Sequence, residues 1–219
     1  MIVTIDGPAG AGKSSAALRL AERLGFAFLD TGAMYRAVAL AALRAQCAVD
    51  DESVLARLLA ELRLEMPAGQ VLLNGEDVAP FLRTPEITTA SMPIAASRAV
   101  RERLVDWQRS IAGARDIVTE GRDQGTLVFP HAERKFFLTA AASERAQRRQ
   151  RELSARGSTI TVDEVLAMQS ERDARDASRE LGPLKQADDA ILVETTGLTL
   201  EQVVERLYSL VRQRTGGRA

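Results

Sequence analysis

The chain has 219 residues, of which 46% are hydrophobic and 27% are charged, with a formal net charge of −1. This composition is typical of a soluble globular protein with one substantial core, and it excludes both a strongly basic nucleic-acid-binding protein and an acidic tail. A single cysteine and a single histidine exclude an internal disulfide bond and a Cys/His zinc cluster. Because the sequence has no leader-like start and no apolar run of membrane-spanning length, we expect a cytoplasmic protein that binds neither nucleic acid nor membranes.

A glycine-rich segment follows the first predicted strand, Ile2–Asp6. Residues 7–14 read Gly-Pro-Ala-Gly-Ala-Gly-Lys-Ser, which matches the phosphate-loop pattern GxxxxGK[ST]. Its glycines let backbone N–H groups turn toward a β-phosphate, Lys13 can reach the β- and γ-oxygens, and the Ser14 hydroxyl can bind Mg²⁺. A helix predicted over 13–24 directs its positive N-terminal end toward the phosphates. This segment predicts a nucleoside triphosphate site.

A second motif, Asp30-Thr31-Gly32-Ala33-Met34-Tyr35-Arg36, follows the next predicted strand, Phe26–Leu29. It begins a helix predicted over 32–46. Two interpretations stay open at this point. Asp30 or Thr31 can simply cap the helix, or the motif can form part of a ligand site at the carboxyl edge of the sheet, with Arg36 directed back toward it.

Residues 60–90 are predicted to form a small insertion. After a helical segment at 51–60, short apolar runs at 62–66, 70–73 and 76–78 indicate antiparallel strands, and Asn74-Gly75 is a strong type I′ hairpin signal. A helix is predicted again over 97–113.

A third motif, Glu120-Gly121-Arg122-Asp123-Gln124-Gly125-Thr126, follows a strand predicted at 116–120. Arg122 could bind a phosphate, and the carboxylate of Asp123 could accept a hydrogen bond from an exocyclic amine. A plain salt bridge between these two residues in a glycine turn is the open alternative. His131 lies in a predicted turn, where we expect a solvated rather than a catalytic histidine.

A fourth group lies on a helix predicted over 161–180. Arg172, Arg175, Asp176 and Arg179 are spaced three, four and seven residues apart, which puts them on one helix face. Further arginines occupy the preceding helix, predicted over 142–156, and Ala155–Thr159 is predicted as the turn between the two. We expect this excess of cations to be neutralised by bound phosphates, although a solvated charged face is the alternative.

The remaining strands are predicted at 134–139 and 190–194, and a last helix near 199–214. Short apolar strands that alternate with helices indicate an α/β fold with a parallel sheet covered on both faces. Ligands of such folds bind at the carboxyl ends of the strands, where the motifs above are expected to meet.

Four segments in this order, TIDGPAGAGKSS, LDTGAMYR, EGRDQGTLVFPHA and ERDARDASR, resemble the bacterial cytidylate kinase family of nucleoside monophosphate kinases. The resemblance implies one phosphate-loop kinase domain over 1–219, with a five-stranded parallel sheet, a monophosphate-binding insert at 60–90 and a mobile helical lid at about 148–180. The implied reaction is ATP + CMP (or dCMP) → ADP + CDP (or dCDP), with Mg²⁺, in a protein expected to be a monomer.

The resemblance also assigns roles to individual residues. It implies cytosine reading by Thr31, Arg101 and Asp123, with Arg179 nearby. It implies that Arg36, Arg122 and Arg172 form a clamp on the acceptor phosphate and that Asp176 accepts a hydrogen bond from the ribose hydroxyl. The catalytic residues implied by the resemblance are Lys13, Arg122 and Arg172. ATP would be held by the phosphate loop, Ser15 and lid arginines: Gly7, Pro8, Ala9, Gly10, Ala11, Gly12, Lys13, Ser14, Ser15, Arg148, Arg149 and, less firmly, Arg175. Where the family has a sugar-contacting serine this chain has Met92, next to Ser91, so sugar preference stays open.

Three other functions compete with this interpretation. A GTP-hydrolysing switch would need an Asn-Lys-x-Asp motif, but the only asparagine is Asn74, which precedes a glycine. Another acceptor such as UMP, AMP or shikimate would keep the mechanism and change only the pocket, although Asp123 suits a base with an amino group. A non-catalytic nucleotide-binding module is the third alternative.

Overall fold

The computed structural model describes residues 1–67, 69–155 and 157–213. These residues fall into two compact units. The first unit contains Met1–Phe28 together with the chain from Asp116 onward, and the second contains Leu29–Arg115. Within the described part of the chain, no helix is long and apolar enough to cross a membrane.

The strands and helices alternate along most of the chain. The strands are β1 (Ile2–Asp6), β2 (Ala27–Asp30), β3 (Leu64–Glu65), β4 (Leu72–Leu73), β5 (Glu76–Asp77), β6 (Ile117–Gly121), β7 (Arg134–Thr139) and β8 (Ile191–Glu194). The helices are α1 (Lys13–Leu24), α2 (Thr31–Arg44), α3 (Glu52–Glu61), α4 (Pro85–Ala96), α5 (Arg98–Ala112), α6 (Ala142–Ser154), α7 (Val162–Ala177) and α8 (Leu200–Arg212).

The first unit contains β1, β6, β7, β8 and the first two residues of β2. These strands belong to a five-stranded sheet in the order β2-β6-β1-β7-β8. β1 pairs in parallel with both β6 and β7, with Ile2 opposite Ile117 and Val3 opposite Arg134, and β7 pairs in parallel with β8. All five residues of β6 are buried. Since successive side chains of a strand point to opposite faces, both faces of the sheet are covered. This confirms the predicted α/β fold class.

The core of this unit lies where α1 and α8 pack against the sheet. It contains buried side chains from β1, α1 and α8, among them Val3, Ile5, Leu20 and Leu207. α8 begins with a capping box, in which Thr199 accepts from the N–H of Gln202 and the Gln202 side chain accepts from the N–H of Thr199. The core therefore fixes the direction of β1 and α1, the two elements that flank the phosphate loop.

The second unit contains the three-stranded antiparallel sheet β3-β4-β5. Asn74 and Gly75 have φ values of 52° and 86° between β4 and β5, which confirms the predicted hairpin with left-handed conformations at both turn positions. The predicted helix at 51–60 is α3, whose N-cap Asp51 accepts from two backbone N–H groups.

Helix α4 has no counterpart in the sequence predictions. Its segment contains an internal proline, Pro93, and two threonines, Thr88 and Thr89, which do not favour a helix. The helix nevertheless begins with Pro85 at its first position, where no N–H partner is needed, and Thr84 caps it by accepting from the N–H of Ile87.

The other predicted elements agree with the structure to within a few residues at their ends. The segment predicted as the helix 161–180 ends earlier, at Ala177, as α7. Some predictions fall in part on residues outside the described ones. The helix predicted over 142–156 and the turn Ala155–Thr159 include Arg156, the insertion predicted at 60–90 includes Ala68, and the helix predicted over 199–214 includes Arg214. His131 lies on an exposed turn, as expected.

Candidate active site

The phosphate loop joins β1 to α1 in the first unit. Gly7 has a φ of 146°, and a Cβ atom at this position would lie 2.0 Å from the carbonyl oxygen of Leu138 in β7, so only glycine fits. Lys13 Nζ donates a 2.7 Å hydrogen bond to the carbonyl oxygen of Pro8. The lysine head therefore lies across the loop, in the position from which it can reach a phosphate bound by the backbone N–H groups.

Lys13 is only 5% exposed. Burial is the main cause that lowers the pKa of Lys13 to about 7, and repulsion from Arg122 and Arg172 lowers it further. The negative charges of Glu120 and Asp6 act in the opposite direction. Lys13, Arg122 and Arg172 are thus close enough to repel one another. Such a concentration of positive charge favours the binding of a polyanion.

Ser14 Oγ donates a 2.9 Å hydrogen bond to Oε1 of Glu120, a buried residue at the end of β6. Hydroxyl and carboxylate oxygens are the ligands that Mg²⁺ prefers, so these two side chains fit such an ion chemically. No group of three or more metal-ligating side chains occurs among the described residues. Glu120 is the first residue of the third sequence motif, but no role was predicted for Glu120 itself. The available signal was its place at the carboxyl end of a strand near the phosphate loop.

The turn after β6 carries Asp123, which is 5% exposed. The turn continues as a single π-helical turn, Gln124–Val128, in which the Asp123 carbonyl accepts from the N–H of Val128 at 3.2 Å and the Gln124 carbonyl from the N–H of Phe129 at 2.7 Å. The carboxylate of Asp6, at the end of β1, accepts from the backbone N–H groups of Gln124 at 2.9 Å and Gly125 at 2.7 Å. Asp6, which the sequence analysis did not single out, therefore holds the turn in place.

Asp6 itself is 4% exposed. Burial raises the pKa of Asp6 to about 7, the two backbone N–H groups oppose this, and the charge of Asp123 adds to it. The carboxylates of Asp6 and Asp123 are therefore close enough to interact.

Asp176 on α7 is the centre of an arginine cluster. Asp176 is 3% exposed. Its carboxylate accepts a hydrogen bond from Arg122 Nε at 2.8 Å, forms an ion pair with Arg179, and lies 4.0 Å from Arg172 Nε. Partial desolvation, followed by repulsion from Arg122, lowers the pKa of Arg172 to about 10. The structure thus brings together four of the residues to which the family resemblance assigns a role in binding CMP.

For four arginines of α6 and α7, the prediction that bound phosphates neutralise them was wrong, because each has a carboxylate partner. Arg145 pairs with Asp173 at 2.7 Å, Arg148 with Glu144 at 3.1 Å, Arg149 with Glu152 at 2.8 Å and Arg175 with Glu171 at 3.0 Å. The reason is that carboxylates three or four residues away on the same helix, or on the neighbouring one, lie within reach of each guanidinium.

Arg148 also donates to the carbonyl oxygen of Thr195, at 2.7 Å, just after β8. Arg149 lies on the exposed side of α6.

The second unit carries Thr31 and Arg36 at the start of α2. Asp30 caps the helix by accepting from the N–H of Ala33 at 2.8 Å, and Arg36 Nη2 lies 3.5 Å from its carboxylate. Asp30 therefore does act as a helix cap, as one of the two interpretations held. Arg36 Nε is buried and has no hydrogen-bond partner among the described residues, which leaves this arginine able to bind an anion.

Arg101 on α5 is 2% exposed. Its Nη1 donates to the carbonyl oxygen of Ala95 at 3.3 Å, and its guanidinium lies 5.8 Å from the centre of the Tyr35 ring. On α4, Ser91 Oγ donates to the carbonyl oxygen of Thr88 at 2.8 Å, whereas Met92 is 40% exposed. These contacts leave the sugar preference open.

Known proteins resemble this chain along nearly its whole length. Residues 3–213 match the model of the family described as Cytidylate kinase. The cytidylate kinase of Rhodopirellula baltica is 48% identical over 213 residues, covering 97% of this chain and 93% of that protein. The cytidylate kinase of Geobacter sulfurreducens is 46% identical over 218 residues, covering 98% and 94%.

Two solved structures share the fold. The shikimate kinase of Bacteroides thetaiotaomicron has a TM-score of 0.51 at 14% identity, covering 96% of this chain and 98% of that one. An uncharacterized protein from Eubacterium ventriosum has a TM-score of 0.56 at 12% identity, covering 98% and 99%. At these identities the likeness shows the fold alone. The family match and the close relatives show more: the chain belongs to the cytidylate kinase family of nucleoside monophosphate kinases.

Proposed function

We propose that this protein transfers the γ-phosphoryl group of ATP to CMP or dCMP. The observation that carries the proposal is the convergence of Arg122 and Arg172 on Asp176, with their Nε atoms 2.8 Å and 4.0 Å from its carboxylate. Burial is the main cause that lowers the pKa of Lys13 in the phosphate loop, and the charges of the same two arginines add to it. Two polyanionic nucleotides repel each other, so an enzyme that joins them must supply this kind of positive surface. Family membership supports the choice of substrates.

On the donor side, the phosphate loop would bind ATP through its backbone N–H groups and Lys13. Ser14 and Glu120 have the oxygen chemistry to hold Mg²⁺, which would supply positive charge against the negative charge that develops on the phosphates. Ser15, Arg148 and Arg149 are included in the proposed ATP site by resemblance.

On the acceptor side, we propose that Arg122 and Arg172 bind the phosphate of CMP, that Asp176 accepts a hydrogen bond from the ribose, and that Asp123 accepts one from the cytosine amino group. Support comes from the burial of both carboxylates and from the contact of Arg122 with Asp176. Thr31, Arg36, Arg101 and Arg179 belong to the proposed CMP site on the strength of the resemblance.

The reaction needs no catalytic base. The acceptor is a phosphate whose second pKa is about 6, so it is already a nucleophilic anion at neutral pH. The residues would align the two phosphates and stabilise the charge of the migrating group, which is the main requirement of phosphoryl transfer. The exposed position of the single histidine, His131, agrees with this mechanism.

The same proposal includes a cytoplasmic location and a monomeric state. It also includes the roles of segment 60–90 as the monophosphate-binding insert and of segment 148–180 as the mobile lid. They rest on the sequence and on the resemblance.

The test is ADP release by the purified protein, measured in a coupled assay with ATP and Mg²⁺, with and without CMP. We expect release that depends on CMP. Slow release without any acceptor would indicate a hydrolysing switch. No release with any nucleoside monophosphate would indicate a binding module, and release with another acceptor in preference to CMP would replace the proposed substrate.

A further inference from the structure

The backbone of Ala9, inside the phosphate loop, is held by two side chains from α6 and α7. Its N–H donates to Oδ1 of Asp173 at 2.8 Å, and its carbonyl oxygen accepts from Nη1 of Arg145 at 2.6 Å. Arg145 Nη1 also donates to the other carboxylate oxygen of Asp173 at 2.7 Å. Ala9, Asp173 and Arg145 therefore form a closed ring of hydrogen bonds in which two members are charged.

This ring fixes the orientation of two consecutive peptide planes. In a trans peptide the C=O and the following N–H point in opposite directions. The Pro8–Ala9 peptide is held at both ends, since Asp173 accepts from its N–H while Lys13 Nζ donates to its carbonyl oxygen at 2.7 Å. Asp173 and Lys13 thus form hydrogen bonds on opposite sides of one peptide group.

The next peptide, Ala9–Gly10, is held by Arg145 on its carbonyl oxygen. Its N–H, which belongs to Gly10, must then point away from Arg145. Gly10 has a φ of 77°, and a Cβ atom there would lie 2.5 Å from Nε2 of Gln169 and 3.1 Å from Cβ of Arg145. The loop is thus packed directly against α6 and α7 at this point, and its backbone cannot turn without breaking the ring.

We propose that Asp173 and Arg145 are positioning residues for ATP, which set the direction of the Ala9 and Gly10 peptides and thereby the position of Lys13. A phosphate loop binds its ligand through the orientation of backbone N–H groups, so fixing that orientation before binding lowers the cost of ordering the loop. The inference rests on the proposed function to the extent that the loop binds ATP. It gives these two residues a role that does not require contact with the nucleotide.

Asp173→Asn is the most direct test. The new amide keeps one oxygen but places an NH₂ group against either the Ala9 N–H or Arg145, so the ring must open. We expect the KM for ATP and the Kd for ADP to rise about tenfold, in line with the loss of a charge-assisted hydrogen bond, and the KM for CMP to stay within twofold. Arg145→Gln should give the same split, and combining the two changes should add little, because both break one ring.

The control is Glu22→Gln, which removes an exposed ion pair with Arg19 at the far end of α1 and should leave every constant unchanged. A readout independent of turnover is amide hydrogen exchange in the ADP-free protein. Exchange in a peptide that contains Ala9 should become faster in Asp173→Asn and not in Glu22→Gln.

The inference would be overturned if Asp173→Asn and Arg145→Gln both kept the wild-type values of the KM for ATP and the Kd for ADP. This holds whether or not the rate of amide exchange at Ala9 changes. An equal rise of the KM values for ATP and CMP would also overturn it, since it would indicate general loosening of the structure. If the wild-type protein bound no ADP, the proposed function would fail and this inference with it. The wild-type measurement therefore separates the two failures.

Discussion

Asp6 and Gly125 are joined by a 2.7 Å hydrogen bond from the backbone N–H of Gly125 to the buried carboxylate of Asp6. Asp6 ends the strand that leads into the phosphate loop, and Gly125 lies in the turn that follows Arg122 and Asp123. The contact therefore couples the proposed ATP-binding segment to the proposed CMP-reading turn through a single side chain.

Asp6→Asn is expected to disturb this turn. The amide can accept from one of the two N–H groups, but its NH₂ group faces the other, and a buried unsatisfied donor costs about 1–3 kcal/mol. We expect the free energy of unfolding at neutral pH to fall by about this amount and the KM for CMP to rise more than the KM for ATP. Urea unfolding and steady-state kinetics measure both. Equal KM changes for the two substrates would contradict the assigned role.

The pH dependence of stability provides a second test of Asp6. Since burial raises the pKa of Asp6 to about 7, the folded protein keeps a proton that the unfolded chain has lost between about pH 4 and 7. The pH-dependent part of the contribution of Asp6 to stability is therefore fully present below about pH 4 and is lost as the pH rises to about 7. The difference in unfolding free energy between wild type and Asp6→Asn should shrink from pH 5 to pH 8. A constant difference would mean that Asp6 titrates normally.

Lys13→Met should abolish phosphoryl transfer and leave the fold intact. Removing a charge that stabilises the transition state costs about 3–4 kcal/mol, or a 10²- to 10³-fold fall in kcat. Because the ammonium group is buried and its pKa is lowered, an apolar side chain of similar length should not reduce the melting temperature. Enzyme kinetics and thermal unfolding provide the two values. A variant with nearly wild-type kcat would refute the assignment of the phosphate loop.

Proton uptake should accompany ATP binding above pH 7. The pKa of Lys13 is lowered to about 7 in the ligand-free protein, and phosphate oxygens beside it favour the charged form. At pH 8.5 the binding of ATP should therefore take up as much as one proton. Calorimetric titration in buffers of different ionisation enthalpy measures this uptake. Lys13→Met should show none, and absence of uptake in the wild type would contradict the lowered pKa.

Asp176→Asn should impair the arginine cluster. Removing the negative charge leaves Arg122, Arg172 and Arg179 to repel one another, and loss of one partner of a buried ion pair costs about 3–5 kcal/mol of stability. We expect kcat/KM for CMP to fall at least 10-fold, which corresponds to about 1.4 kcal/mol. Glu102→Gln is the control, because it removes an exposed pair with Arg98 and should change neither value. Unchanged activity on CMP in Asp176→Asn would exclude Asp176 from the site.

Local signals in the sequence predicted most of the fold. The Asn74-Gly75 hairpin and β7 follow from turn chemistry and from an apolar run, which act over a few residues. Helix α4 was missed because Pro93 lowers the local helix preference, while Pro85 and the Thr84 cap fit the start of a helix. Helix propensity alone does not show whether the unfavourable Pro93 or the favourable start at Thr84 and Pro85 has the larger effect.

The motifs located the candidate site, but not the contacts inside it. The roles of Asp6, Glu120 and Asp173 depend on partners more than 100 residues away along the chain, such as Gly125 for Asp6 and Ala9 for Asp173. No periodicity or spacing expresses such pairings. The pair between Arg145 of α6 and Asp173 of α7 is of the same kind. The partners of the other paired arginines lie three or four residues away on the same helix, so spacing does indicate them.

The most direct test of the account is the ratio of kcat/KM for CMP to kcat/KM for UMP, measured on the wild type and on Asp123→Ala. Asp123 is buried, and its carboxylate is proposed to accept a hydrogen bond from the cytosine amino group, for which UMP has a carbonyl oxygen. Two acceptors then face each other, a mismatch that can discriminate by up to about 10⁴-fold. We predict a large ratio in the wild type that is strongly compressed in Asp123→Ala, with most of the loss on CMP. A wild type that uses UMP as well as CMP, or a ratio that Asp123→Ala leaves unchanged, would contradict the account.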